Sequence, residues 1–168
     1  MLSDLASAKS LLAITIANPT HPQQSSRYII CGPCTRPNIP AGRWTRTSVA
    51  YDVRRKKHIL LKDSWQVLLD SITPEGEIYA KLCQNSVPNI PFCLRASDVG
   101  DDTHHKSRTH KFIGACGGHM QLMPHQHYRL VLDTISQKLE RFSCSWEVVN
   151  AIHASLVGKL ANVCSQAM

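Results

Sequence analysis

A strand that ends in a lysine, followed by an acidic helix start, most constrains how this 168-residue chain can fold. The apolar run at 58–62 predicts a strand that ends at Lys62. Further on, Thr73 is placed to cap a helix whose first turn carries Glu75 and Glu77, where the helix dipole favours acids. The lysine and the two acids carry opposite charges, so they are groups that can form an ion pair.

The rest of the chain predicts a mixed α+β fold around this pair. The predicted elements are a short helix over 1–17, strands at 28–31, 45–53 and 58–62, a helix from Thr73, a short strand entered through 86–94, a long polar loop over 98–127, a buried strand over 127–135 and a helix over 145–163. Ile78 and Leu82 are one helical turn apart, which assigns them the apolar face of the first long helix.

Composition narrows the classes of partner and compartment. The formal charge is +7, but the densest basic run, at 54–57, is typical of a solvated hairpin tip and has no nucleic-acid recognition motif beside it. Neither a secretory signal nor an apolar run long enough to cross a bilayer is recognisable. The cysteines number seven, at irregular spacing, which argues against a disulfide framework. We expect an intracellular protein, cytoplasmic or nuclear, that binds neither nucleic acid nor membrane.

Five segments resemble the fungal-type protein kinase domain family and follow that family's order. They are GRWTRTSVAYD at 42–52, LLKDSW at 60–65, PEGEIYAKL at 74–82, VPNIPFCL at 87–94 and HYRLVLDTI at 127–135. The resemblance implies a protein-kinase-like N-lobe over 27–132, with an antiparallel sheet of about five strands and one helix. It also implies an N-terminal helix and linker over 1–26, and a hinge with one helix of a truncated C-lobe over 133–168.

By the same resemblance, one group of residues faces the phosphates of ATP. Lys62 matches the lysine that contacts the α- and β-phosphates, with Glu75 as its ion-pair partner and Glu77 as the alternative. Gly42 opens the segment that approaches the phosphates. The family's pattern there resembles GRGTR, whereas this chain carries Trp44 in place of the second glycine.

A second group is implied on the adenine side. Leu132 would form the back of the adenine pocket, and Asp133, Thr134 and Ile135 would form the hinge that contacts adenine through its backbone. The resemblance also implies Mg²⁺ and a protein substrate. The chain contains no HRD-type catalytic loop and no DFG-type aspartate, so we assign no catalytic residue and expect no phosphotransfer.

Two patterns offer competing functions. The CGPC tetrapeptide, with Cys31 and Cys34, is typical of thiol–disulfide redox proteins, but the prolines that follow it disfavour the required helix. These two cysteines could also join Cys116 and His119 in a zinc site, and the remaining candidate chelators are His125 and His127. We expect ordinary thiols, solvated histidines and no bound metal.

The C-terminal segment carries an apolar stripe at helical spacing. Its members are Val149, Ile152, Leu156, Leu160 and Val163. An exposed apolar patch of this size is typical of a contact surface, so we expect the chain to self-associate through it. A further alternative function is a non-catalytic interaction module that uses the same lobe and does not bind nucleotide.

Overall fold

The computed structural model describes residues 11–17, 25–32, 44–100, 105–116, 122–136 and 139–166. Within these ranges the main elements are β1 (Leu12–Ile16), β2 (Ser26–Ile30), β3 (Arg46–Asp52), β4 (Lys57–Val67), α1 (Glu75–Gln84), β5 (Cys93–Asp98), β6 (His125–Leu132) and α2 (Ser145–Gln166). Short 3₁₀ segments lie at Thr109–Cys116 and Leu139–Arg141. The predicted α+β class is confirmed.

The strands form one antiparallel sheet in the order β1-β2-β3-β4-β6-β5. Strand β4 is central, because it pairs with β3 on one side and with β6 on the other, so that Leu61 lies opposite Ser48 and Val131. Helix α1 follows β4 in sequence, and the chain then forms the edge strand β5 before β6 inserts between β4 and β5. Residues on β4 are therefore fixed by ladders on both sides.

The two faces of the sheet have different hydrophobic clusters. One face buries a cluster that contains Tyr28, Ile59, Leu61 and Val131. The opposite face packs Leu130 and its neighbours on β6 against residues of α1 and β5. Because side chains alternate along a strand, consecutive residues of β4 serve different clusters.

The N-terminal prediction was wrong where the structure describes it. Residues 12–16 form a strand rather than part of a helix, and this strand pairs with β2 to give a sixth strand instead of about five. The sequence Ile14–Thr15–Ile16 explains the difference, since β-branched residues favour strands. The pairing places Ile16 in the core, 3% exposed.

Helix α1 also differs in its details from the prediction. The helix begins at Glu75, and Pro74 rather than Thr73 occupies the cap position, without a side-chain capping hydrogen bond. Ile78, assigned to the apolar face, is 44% exposed, whereas Tyr79 packs against the sheet. A hydrogen bond between the first turn of α1 and strand β6 fixes the orientation of the helix about its own axis.

The predicted long loop is shorter and partly structured. Strand β5 extends to Asp98 and β6 begins at His125. Between them, Lys106 forms an isolated bridge with Gln126, and a 3₁₀ segment follows. The predicted C-terminal helix is confirmed as α2. None of the helices in the described ranges has the length and apolar character needed to cross a bilayer.

The basic hairpin tip is anchored by a buried acid. Asp52 is 1% exposed, and its carboxylate accepts hydrogen bonds from the backbone N–H groups of Arg54 and Arg55 and from the Arg55 guanidinium. Burial alone would raise the pKa of Asp52, but these hydrogen bonds lower it below its ordinary value. The prediction of a hairpin between β3 and β4 is confirmed.

Candidate functional site

An ion pair joins the central strand to the first helix. The Lys62 Nζ donates to both carboxylate oxygens of Glu75, at 2.7 Å each. The side chains are 27% and 30% exposed, so the pair is shielded on one side and open on the other. The predicted contact is confirmed with Glu75, while the alternative, Glu77, lies on the exposed side of α1. The role of Lys62 in binding nucleotide stays a prediction.

A tight contact between α1 and the sheet positions Glu75. The hydroxyl of Tyr128 accepts a hydrogen bond of 3.0 Å from the backbone N–H of Gly76, in the first turn of the helix. A Cβ atom at position 76 would overlap the Tyr128 hydroxyl and the Cβ of Ala96. Only glycine allows this approach, and it brings the neighbouring Glu75 within reach of Lys62.

Tyr128 acts here as a neutral hydroxyl. Burial raises the pKa of Tyr128 to about 12, although the hydrogen bond from Gly76 lowers it in part. The sequence analysis missed both residues. Glycine is unfavourable inside a helix, so its presence in α1 could have indicated that the helix backbone closely approaches another element. Nothing in the sequence identifies Tyr128, 52 positions away, as the partner.

A cavity of about 960 Å³ lies beside the ion pair, between β4 and α1. This volume lies in the range of small-molecule sites. Lys62 and Glu75 form part of its wall, and other lining residues are Thr45, Ser64, Ile78 and Lys81. The wall thus combines two ammonium groups with hydroxyls and an apolar side chain, which can accept an anionic ligand that also carries an apolar part.

The residues predicted on the adenine side lie elsewhere. Leu132 is 5% exposed within the cluster beneath α1, and Ile135 is 36% exposed. Neither they nor Asp133 line the cavity. The Asp133 carboxylate accepts hydrogen bonds from the Phe92 backbone N–H and the Thr134 hydroxyl, both at 2.9 Å. Asp133 therefore ties the end of β6 to the start of β5.

The predicted phosphate-covering segment is described only from Trp44 onward, and Gly42 lies outside the described residues. The Trp44 carbonyl accepts a hydrogen bond of 3.3 Å from the Trp65 backbone, and the Arg46 guanidinium lies 5.2 Å from the centre of the Trp44 ring. Trp44 thus contacts residues of β3 and β4, the two strands of the hairpin that it precedes. Thr45, the next residue, lines the cavity.

The competing cysteine sites are described only in part. Cys31 is a free thiol, and Cys31 and Gly32 are not in a helix, while the residues from 33 to 43 lie outside the described part of the chain. Whether a helix follows the tetrapeptide stays a prediction. Cys34 and His119 lie outside the described residues, as does the Cys116 side chain. In the part of the chain that the structure describes, no group of three or more histidine, cysteine or acidic residues is arranged to hold a metal ion.

Comparison with known proteins adds no assignment. No protein-family model, curated protein or solved structure matches this chain. The resemblance to fungal-type protein kinases therefore rests on the five sequence segments, and ATP, Mg²⁺ and a protein substrate stay predictions. The family of the chain is not assigned by these comparisons.

Proposed function

We propose that this chain forms a protein-kinase-like N-terminal lobe that binds the phosphates of ATP through Lys62. The observation that carries the proposal is the ion pair between Lys62 and Glu75 on the wall of a cavity of ligand size. In phosphoryl-transfer proteins, a strand lysine held by a helix glutamate neutralises nucleotide phosphates. The proposed ligand site is this cavity.

The succession of elements supports the same proposal. Strands β3 and β4 are followed by α1, by β5 and by β6, which ends in Leu132 before Asp133, and then by α2. This is the order implied by the resemblance for the N-lobe, the hinge and the first helix of the C-lobe. Helix α1 and Lys62 also share one face of the sheet, because the side chains of β4 alternate.

The chemistry of Lys62 fits a phosphate contact. A lysine ammonium has three N–H donors, and two of them point at the two oxygens of Glu75. The third N–H donor remains available for a phosphate oxygen, and Glu75 fixes the direction in which the Lys62 ammonium group points. Since the chain has no HRD-type or DFG-type motif, we propose binding by this chain without phosphotransfer.

Lys62→Met should weaken the binding of a fluorescent ATP analogue by at least about tenfold. A hydrogen bond to a charged group contributes about 1.5–3 kcal/mol, and methionine keeps the apolar stem while it removes the charge. Binding is measured by fluorescence titration of the purified chain. Glu75→Gln should lower the affinity by a smaller factor, because the amine remains but is less well oriented.

The matched control is Lys57→Met, on the same strand but at its exposed start. This variant should bind the analogue as the unaltered chain does. Equal affinity in Lys62→Met and the unaltered chain would refute the phosphate role. Failure of the unaltered chain to bind at millimolar concentration would refute nucleotide binding altogether.

A second function, self-association, is favoured by the surface of α2. Four large apolar side chains on this helix are more than half exposed: Trp146 (69%), Val149 (54%), Ile152 (52%) and Leu156 (55%). The other side of the helix contacts the chain after α1, where the Asn89 side chain donates to the Ala154 carbonyl at 3.2 Å. We propose that the exposed stripe is the contact surface of a homo-oligomer.

A paired substitution tests this contact. Val149→Glu with Ile152→Glu should shift the chain towards monomer in sedimentation velocity, because burying two carboxylates in an apolar contact is costly. Ala151→Glu, at an exposed position on the side of the same helix away from the stripe, is the control and should leave the distribution unchanged. If the unaltered chain is monomeric at all concentrations, the stripe is not a self-association surface.

A further inference from the structure

A network of polar and aromatic side chains lies on the face of the sheet opposite Lys62. The His127 Nε2 atom contacts the Asp63 carboxylate, and the Trp65 ring stacks on the imidazole with centroids 5.0 Å apart. The Arg129 Nε lies 3.6 Å from the same carboxylate. The imidazole of His127 is therefore held on one edge by a carboxylate and on one face by an indole.

A second histidine meets the other edge of that ring. The Nδ1 atoms of His105 and His127 lie 3.4 Å apart. The ring centroids are 5.4 Å apart, farther than the nitrogens, so the Nδ1 edges face each other. The backbone fixes this arrangement, because the His127 N–H donates to the His105 carbonyl at 2.9 Å and Lys106 bridges to Gln126.

The contact with Asp63 determines the tautomer of His127. The Asp63 oxygen that the His127 Nε2 atom contacts also lies 3.6 Å from the Arg129 Nε, so this carboxyl group faces one N–H donor from each residue. An ionised carboxylate can only accept, so His127 donates through Nε2–H. In neutral imidazole the Nδ1 atom then carries the lone pair, and that lone pair points at His105.

We propose that His105 and His127 bind one divalent transition-metal ion, of the Zn²⁺ class, through their Nδ1 atoms. Two nitrogens bound to a tetrahedral Zn²⁺ at about 2.0–2.1 Å lie about 3.3–3.4 Å from each other. The observed separation of 3.4 Å matches that spacing. It is longer than the usual N–H···O hydrogen bond, whose donor–acceptor distance centres on about 2.9–3.0 Å.

Asp63 completes the arrangement without touching the metal. Metal-bound histidines commonly donate their other ring N–H to a carboxylate, which fixes the ring and raises its basicity. Among the described residues, no third protein ligand is arranged around the pair. Positions that the protein leaves open on a zinc ion can be taken by water or by a substrate.

Calorimetric titration of the full chain with Zn²⁺ tests the proposal. His105→Ala and His127→Ala should each remove one binding event or weaken it at least about tenfold. Asp63→Asn should weaken the same event by about 10–100-fold, as expected for loss of the partner that orients a ligand. His58→Ala, a histidine at the other end of β4, is the control and should leave the event unchanged. Every variant keeps all the cysteines, so binding to thiols is common to the whole series.

A spectroscopic measurement makes the test independent of the stability of the variants. In long-range ¹⁵N correlation spectra of the unaltered chain, Zn²⁺ should shift the Nδ1 resonances of both histidines and leave His127 protonated at Nε2. A shift of His127 Nε2 instead, or His105→Ala binding Zn²⁺ as tightly as the unaltered chain, would overturn the proposal. The absence of any Zn²⁺-induced change at either ring would overturn it too.

Discussion

We expect the Leu61→Ala variant to unfold with a free energy about 2–5 kcal/mol below that of the unaltered chain. Leu61 is 1% exposed in the middle of β4 and packs in the cluster that contains Ile59 and Val131. Alanine would leave a cavity that the neighbours cannot close, since ladders on both sides hold β4 in place. The decrease in the free energy of unfolding therefore has two parts: the lost burial of the leucine side chain and the cost of the cavity that remains.

Urea denaturation followed by tryptophan fluorescence measures this change. Leu68→Ala is the matched control, because Leu68 lies just beyond the end of β4 and is 44% exposed. That variant should differ from the unaltered chain by less than about 0.5 kcal/mol. A loss below about 1 kcal/mol in Leu61→Ala would mean that this cluster is not the main core of the sheet.

The second large effect concerns the glycine under helix α1. Gly76→Val should lower the free energy of unfolding by about 1–3 kcal/mol, the usual cost of overpacking. The added side chain must displace Ala96 on β5 or the Tyr128 hydroxyl, and neither is the end of a flexible side chain. The start of α1 would move away from the sheet, and Glu75 would move away from Lys62.

The same denaturation experiment measures this second effect. Ala80→Val is its control, because Ala80 lies on the exposed side of the same helix. It places the same side chain on α1 without an overlap, so its effect should be only the small helix-propensity difference, about 0.5 kcal/mol. If the two variants lose equal stability, the close approach at Gly76 does not hold the helix in place.

The contact between Lys62 and Glu75 was predicted through the resemblance to the kinase family, whose two segments at this site lie close together in sequence. The apolar pattern at 58–62 places Lys62 in a strand, and the acids in the first turn mark the helix start. The predicted end of the strand at Lys62 was wrong, because pairing with β6 extends β4 to Val67. The partners are thirteen positions apart in sequence, which limits how far apart they can lie. The choice between Glu75 and Glu77 could not be made from these signals, since both acids suit the helix dipole.

The contacts that complete the fold join residues far apart in sequence. The pairing of Asp133 with Phe92 spans 41 residues, and that of His127 with Asp63 spans 64. Periodicity and capping carry no information at such separations. The strand β1 was missed for a different reason: a short apolar run suits either a helix or a strand, and pairing with β2 decides between them.

Lys62 and Asp63 are adjacent on β4, yet their side chains lie on opposite faces of the sheet. Inserting or deleting one residue in the first half of the strand would exchange them, because a slip of one position turns every side chain over. The lysine would leave the glutamate of α1, and the aspartate would leave the histidine of β6. Both contacts therefore constrain the length of this strand, and we expect insertions and deletions to fall in loops while the number of residues from Lys57 to Trp65 stays constant.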